Sequence, residues 1–380
     1  MASDFWTSSH YRRWIVDRAT VAQARMDDTH YTKPREVALL GILFANTIVK
    51  LCRRLGLRQR VIATANVYFR RFYLKNSYCD TDPFIVIAAC VYVAAKAEET
   101  PSHVKTVVSE ARTLFASAEF GIKNFSSDNA RLAEMEFYLV DDLECDLTVF
   151  HPYRALMQLV CKEGTVTSSI IDEDTGEILP GADKLVLPDG CIQLAWFIIN
   201  DTYRSDSLCL IHPPHLIAVA ALYLALSLHS DTRQQCIPHE SSAAPNIVAE
   251  DGEDTTAPRR SSRGRKRSSP ESQPGATRTT DIVGFLAGLN VNMREVATVM
   301  QEMLGLYKLW SCFKDDSSEA DTGAMPDGQQ YTTRELVDML NRIREERERD
   351  VAHPPTGRPV QPTKMLERAT ANSAAQTWRA

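Results

Sequence analysis

Two charged residues stand where they could recognise another chain. Lys96 follows the longest nearly unbroken apolar run, Phe84–Ala95, in the sequence AAKAEE. Its alkyl stem can lie on apolar surface while the ammonium reaches the rim of a helix bundle. Glu136 borders a second apolar stripe, Leu132, Met135, Leu139 and Leu143. A lysine and a glutamate on one rim either pair with each other or engage unpaired backbone groups of a partner. Charge-assisted bonds of that kind are roughly twice as strong as neutral ones. Other chemistry has little support. There is no P-loop, no dinucleotide fingerprint, no G-x-S-x-G and no H-E-x-x-H. The nine histidines are scattered, and His212 and His215 flank a Pro-Pro helix start rather than forming a metal pair. Asp141, Asp142 and Glu144 are adjacent, which suits a solvated helix end better than acid–base work. The nine cysteines contain no C-x-x-C spacing, so they read as reduced structural thiols, without zinc or disulfides. No catalytic residue, metal or cofactor is expected, and the chain reads as a non-enzyme.

The elements that position Lys96 and Glu136 are helical. Pro34 opens a helix through Val37, Leu40, Phe44, Ile48, Leu51 and Leu55, closed by Gly56. Val61, Ala65, Tyr68, Phe69 and Phe72 mark a second. Asp82-Pro83 opens a third, Phe84–Lys96, apolar almost all round and therefore central. Val104, Val107, Val108, Ala111 and Leu114 give a fourth, and the stripe from Leu132 a fifth after Ser126-Ser127-Asp128. The run DPFIVIAACVYVAAK returns 131 residues later as PPHLIAVAALYLALS, with Pro83 over Pro214, Ala89 over Ala220 and Tyr92 over Tyr223. Lys96 falls over Ser227, so the repeat does not itself demand a lysine. This predicts an all-α protein of two five-helix repeats.

Composition sets the boundaries. The chain has 380 residues, 44% apolar and 24% charged, with a formal charge of −6, enough for two or three domains. Its longest apolar run, twelve residues, falls short of the roughly 18 a membrane span needs. The N-terminus lacks a signal-peptide apolar region, so an intracellular chain with no membrane contact is expected. We expect an arm over 1–33, a first repeat over 34–149 and a second over 150–313. The second carries a polar insertion at 168–189, with an LPDG turn, and a disordered insert at 232–280. The tail, 314–380, is mostly disordered apart from a short helix, Thr333–Arg349.

AAKAEE followed by EMEFYLVDDLECDL resembles the cyclin box, and the two-repeat helical layout is similar to the cyclin fold. Longer stretches, DFWTSSHYRRWIVDR, LRQRVIATANVYFRRFYLKNSY, VFHPYRAL and AWFIINDTYRSDSLCLIHPPHLIA, resemble the cyclin C branch, the cyclins of the Mediator kinase module. The insertions and long tail resemble a fungal form. The resemblance implies a nuclear regulatory subunit that binds and activates a cyclin-dependent kinase, with other Mediator kinase-module subunits as partners. Substrates would include the RNA polymerase II C-terminal repeat. It places the kinase-binding role on Lys96 and Glu136, with Phe137, Val140 and Leu147 as apolar contacts. Ala97 stands where cell-cycle cyclins are often bulky. A cyclin H-like protein is the near alternative; a transcription factor B-like nucleic-acid-binding protein is the distant one. The net charge disfavours a direct nucleic-acid contact for the body of the chain.

Three further features are candidates for partner contacts. Residues 33–75 hold ten Lys/Arg against one acid, and residues 80–146 hold five against thirteen. Arg58 and Arg71 in the basic stretch are therefore expected either on solvated faces or against an acidic partner. Trp6, on a polar arm, either caps its own bundle or anchors an interface. Arg259, Arg260, Arg263, Arg265, Lys266 and Arg267 form a basic cluster that reads as a nuclear import signal or a nonspecific nucleic-acid contact.

Overall fold

The computed structural model describes residues 4–162, 184–236, 282–314 and 330–352. An arm of short helices, α1 (Ser9–Trp14), α2 (Arg18–Ala24) and α3 (Met26–Tyr31), leads into the first repeat. That repeat comprises α4 (Pro34–Arg54), α5 (Gln59–Phe72), α6 (Pro83–Ala97), α7 (Val104–Phe115) and α8 (Asn129–Asp142). The second is built from α9 (Pro152–Leu159), α10 (Asp189–Thr202), α11 (Leu208–Ile211), α12 (Pro214–Leu228), α13 (Ser230–Cys236), α14 (Ile282–Gly288) and α15 (Met293–Trp310). A last helix, α16 (Thr333–Ala352), returns to the first repeat.

Local chemistry accounts for the boundaries. Proline at N1 starts α4, and the Glu36 carboxylate accepts from the Lys33 backbone N–H at 3.2 Å. Gly56, at φ 66°, turns the chain out of α4 where a side chain would be strained. Asp82 caps α6 by accepting from Phe84 N at 3.1 Å. The apolar surface of α6 runs all round, so it is surrounded: α4, α5, α7 and α8 pack on it. Likewise, α9, α10, α13 and α15 surround α12. The two central helices begin and end 131 residues apart, as the sequence repeat requires.

Short strands modify the all-helical expectation. Val160–Lys162 (β1) pairs in parallel with Leu185–Leu187 (β2), and Phe313–Lys314 (β3) with Tyr331–Thr332 (β4). The β2 residues lie within the polar segment 168–189, yet Leu185 and Leu187 are buried. Three residues are too few to display a period of two. The LPDG read as a turn is instead a helix start, with Pro188 before α10. In the same way α13 extends past residue 232, because the Thr232 hydroxyl is buried and donates to Leu226 O at 2.9 Å.

The helix expected from Thr333 is present and docked. Leu336, Val337, Leu340 and Ile343 are buried, against α3 and α4. Full burial of each such side chain contributes about 1.5–3 kcal/mol. Arg347 Nε pairs with Asp80 at 2.8 Å in the turn before α6. The cysteines divide: Cys52, Cys79, Cys90, Cys191 and Cys209 are buried, but Cys145 is exposed.

Candidate partner interface

The end of α6 and one face of α8 form an edge that combines charge with exposed apolar surface. Lys96 lies at the last turn of α6, where the burial of the helix stops. Its ammonium sits 4.5 Å from the centroid of the Tyr92 ring and pairs with the Glu136 carboxylate. Both members stay in contact with solvent, the lysine side chain at 41% and the glutamate at 22%. Phe137, the next residue, is 78% exposed, a bare aromatic ring on a charged helix. Val140 lies one turn further along the same helix, and Leu147 follows in the loop after it. These two are partly buried and rest on the core. Lys96, Glu136, Phe137 and Val140 therefore share the α6–α8 edge, with Phe137 outermost, while Leu147 lies beyond the end of α8.

Two strained turns bound this edge. After Lys96, Glu98 closes α6 and Glu99 adopts φ 56°. After α8, Glu144 and Cys145 adopt φ 54° and 59°. Left-handed backbone of this kind costs a non-glycine residue roughly 1–2 kcal/mol, so it must be held from outside. Arg71 donates to Asp146 O at 2.9 Å and Lys75 to Asp142 O at 2.7 Å. The Trp14 indole donates to the Asp146 carboxylate at 2.9 Å, and the Tyr68 hydroxyl to Leu147 O at 2.5 Å.

The remaining candidates fare differently. Arg58 is exposed immediately before α5. Arg71 is fully buried, which removes it from the surface where a partner would meet it. Its guanidinium lies 4.9 Å from the Trp14 ring, and desolvation lowers its pKa to about 10. Arg70 is equally buried. It donates to Gly41 O at 2.8 Å and to Arg204 O at 3.3 Å, and pairs with Asp206 across the repeats. The signal for both was available: VYFRRFY embeds the arginines among aromatic residues. Much of the charge asymmetry closes internally, through Arg54–Glu110 at 2.9 Å, Lys75–Glu144 at 2.7 Å, Arg60–Glu98 at 2.5 Å and Lys50–Glu119. Trp6 keeps 52% exposure while its ring lies 4.9 Å from Tyr11 and 5.4 Å from His215 on α12. His212 pairs with Glu302 at 3.0 Å. The basic cluster from Arg259 to Arg267 lies outside the described residues.

Residues 26–148 match the cyclin N-terminal domain family, which places the first repeat in the cyclin class. Over 371 aligned positions the chain is 33% identical to an RNA polymerase II holoenzyme cyclin-like subunit of Mycosarcoma maydis, covering 81% of this chain and 90% of that one. Cyclin-C of Rattus norvegicus is 39% identical over 238 residues, covering 62% and 76% of the two chains. Among solved structures, the CAK complex of Chaetomium thermophilum bound to ATP-gamma-S contains a chain similar at TM-score 0.47 and 14% identity, over 94% of this chain and 97% of that one. The chain belongs to the cyclin family, in the group formed by cyclin C and the RNA polymerase II holoenzyme cyclin-like subunits.

Proposed function

We propose that this chain is the non-catalytic subunit of a nuclear protein kinase, binding and activating a cyclin-dependent kinase within the Mediator kinase module. It would thereby regulate transcription by RNA polymerase II, including phosphorylation of the polymerase C-terminal repeat. The carrying observation is the edge itself: a solvent-accessible Lys96–Glu136 pair beside the exposed Phe137 ring, at the end of a rigid central helix. The names of the relatives support the polymerase setting. On binding, Lys96 and Glu136 exchange their mutual bond for backbone groups of the kinase. Phe137 buries its ring, while Val140 and Leu147 support it from below. Activation then follows from differential affinity for the active kinase conformer, each tenfold shift in its population needing about 1.4 kcal/mol. The two repeats, 34–149 and 150–313, form the body, with the 1–33 arm across it. Half-exposed Trp6 is a second anchor, for another subunit of the module.

Affinity purification from cells identifies the stoichiometric kinase. Phe137→Asp is expected to remove that kinase while leaving the melting temperature unchanged. Retention of the kinase at wild-type stoichiometry would place the interface elsewhere. Trp6→Ala is expected to keep the kinase and weaken attachment of the remaining module subunits.

A further inference from the structure

A file of hydrogen bonds runs from the second repeat to the turn that carries Lys96. Glu98 closes α6 two residues after that lysine. Its carboxylate accepts from Thr64 Oγ1 at 2.7 Å and pairs with Arg60 at 2.5 Å. Thr64 is fully buried on α5. Its oxygen also lies 2.8 Å from His151 Nε2, and His151 Nδ1 lies 2.7 Å from the Tyr203 hydroxyl at the end of α10.

The direction of each bond can be deduced. A carboxylate only accepts, so the single Thr64 proton is committed to Glu98. Thr64 Oγ1 must then accept from His151, which places the imidazole proton on Nε2. Nδ1 is left as an acceptor for the Tyr203 O–H. The ring must be neutral for this to hold. Burial, reinforced by the charges of Arg60 and Arg71, lowers its pKa to about 3. Burial likewise raises the pKa of the Tyr203 phenol, which keeps its proton.

We propose that this one-way chain, Tyr203 to His151 to Thr64 to Glu98, lets the second repeat fix the turn presenting Lys96, with His151 as a positioning residue. The consequence for affinity rests on the kinase-binding reading above. The turn needs such support, because Glu99 is left-handed and Arg60, the other partner of Glu98, is 73% exposed. A first repeat alone would lack both His151 and Tyr203.

The test uses the full chain and its purified kinase. Thr64→Val keeps the side-chain shape but removes the hydroxyl, and is expected to weaken kinase binding about tenfold. Thr64→Ser restores the hydroxyl and should return affinity close to wild type. Tyr203→Phe, in the second repeat, is expected to give a smaller loss in the same direction. Nitrogen NMR of histidine-labelled chain should find Nε2 protonated and Nδ1 bare at His151. A proton on Nδ1 would overturn the proposal, as would Thr64→Val and Tyr203→Phe variants that bind normally while melting earlier. A wild-type chain that bound no kinase would instead overturn the parent reading and, with it, the predicted effect on affinity.

Discussion

The two repeats share a plan, but their central helices end differently. Both α6 and α12 start on proline, run fifteen residues and are buried nearly throughout. At matching positions one ends in Lys96, which reaches outward to Glu136. The other ends in Ser227, whose Oγ donates back to Tyr223 O at 2.9 Å. Their surroundings differ as well. The first repeat packs aromatic rings, with Phe44–Tyr78 centroids at 5.0 Å, Tyr73–Tyr78 at 4.5 Å and Phe84–Phe115 at 5.1 Å. The second is mainly aliphatic, around Ile198, Ile199, Leu222, Val296 and Val299. The two repeats thus offer similar scaffolds, and among the described residues the Lys96–Glu136 pair beside Phe137 distinguishes the first. The rings add geometry-specific contacts beyond area burial.

The largest effects should come from breaking each core separately. Phe72→Ala is expected to cost about 3–5 kcal/mol and Leu222→Ala about 2–5 kcal/mol. Urea unfolding followed by fluorescence and circular dichroism tells whether each change lowers one shared transition or only that of its own repeat. Asp206→Ala probes the junction directly. It strands the fully buried Arg70, and loss of one partner from a buried pair costs about 3–5 kcal/mol. We expect the unfolding curve to separate into two steps in this variant; a single transition with the same slope would mean that packing alone joins the repeats.

Acid should act at the same junction. His10 accepts from Phe150 N at 3.0 Å, and burial with the nearby Arg71 lowers its pKa to about 3, the value His151 also takes. The sign follows from linkage. Both groups have folded pKa values below the unfolded value near 6.5, so below that pH the unfolded chain binds more protons. Stability is intact above about pH 6.5 and falls as the pH drops toward 3. At pH 5 each histidine should cost about 2 kcal/mol. His10→Gln and His151→Gln should each flatten the pH profile of stability relative to wild type.

How much of this was legible beforehand depends on length scale. The central helices were visible because a long, nearly unbroken apolar run behind a proline admits few other readings, and its recurrence 131 residues later fixed the repeat. Lys96 was legible because charge at the end of an apolar helix must lead outward, and Glu136 because it borders the apolar stripe of α8. Arg71 was misplaced because a count of charges along the chain does not say which face of α5 they occupy. Two turns before it, Thr64 looked like an ordinary helix residue. Its partners Glu98, His151 and Tyr203 are distant in sequence, and no local pattern could have joined them.

Lys96→Ala is expected to leave stability within about 1 kcal/mol, since an exposed pair contributes little, and to weaken kinase binding about tenfold. Urea unfolding checks the first half and calorimetric titration with the kinase the second, each beside Glu136→Ala. An affinity unchanged by either substitution would reduce the pair to an ordinary surface ion pair.

The smallest effect should come from the other end of the comparison. Ser227 bonds only within its own helix, so Ser227→Ala is expected to change stability by less than about 0.5 kcal/mol. Ser227→Lys restores the residue type of the first repeat but supplies no acidic partner like Glu136. Neither variant should alter kinase affinity. A loss beyond twofold in the same titration would mean that the second repeat also meets the kinase at the end of α12, and the asymmetry between Lys96 and Ser227 would then be one of chemistry rather than of use.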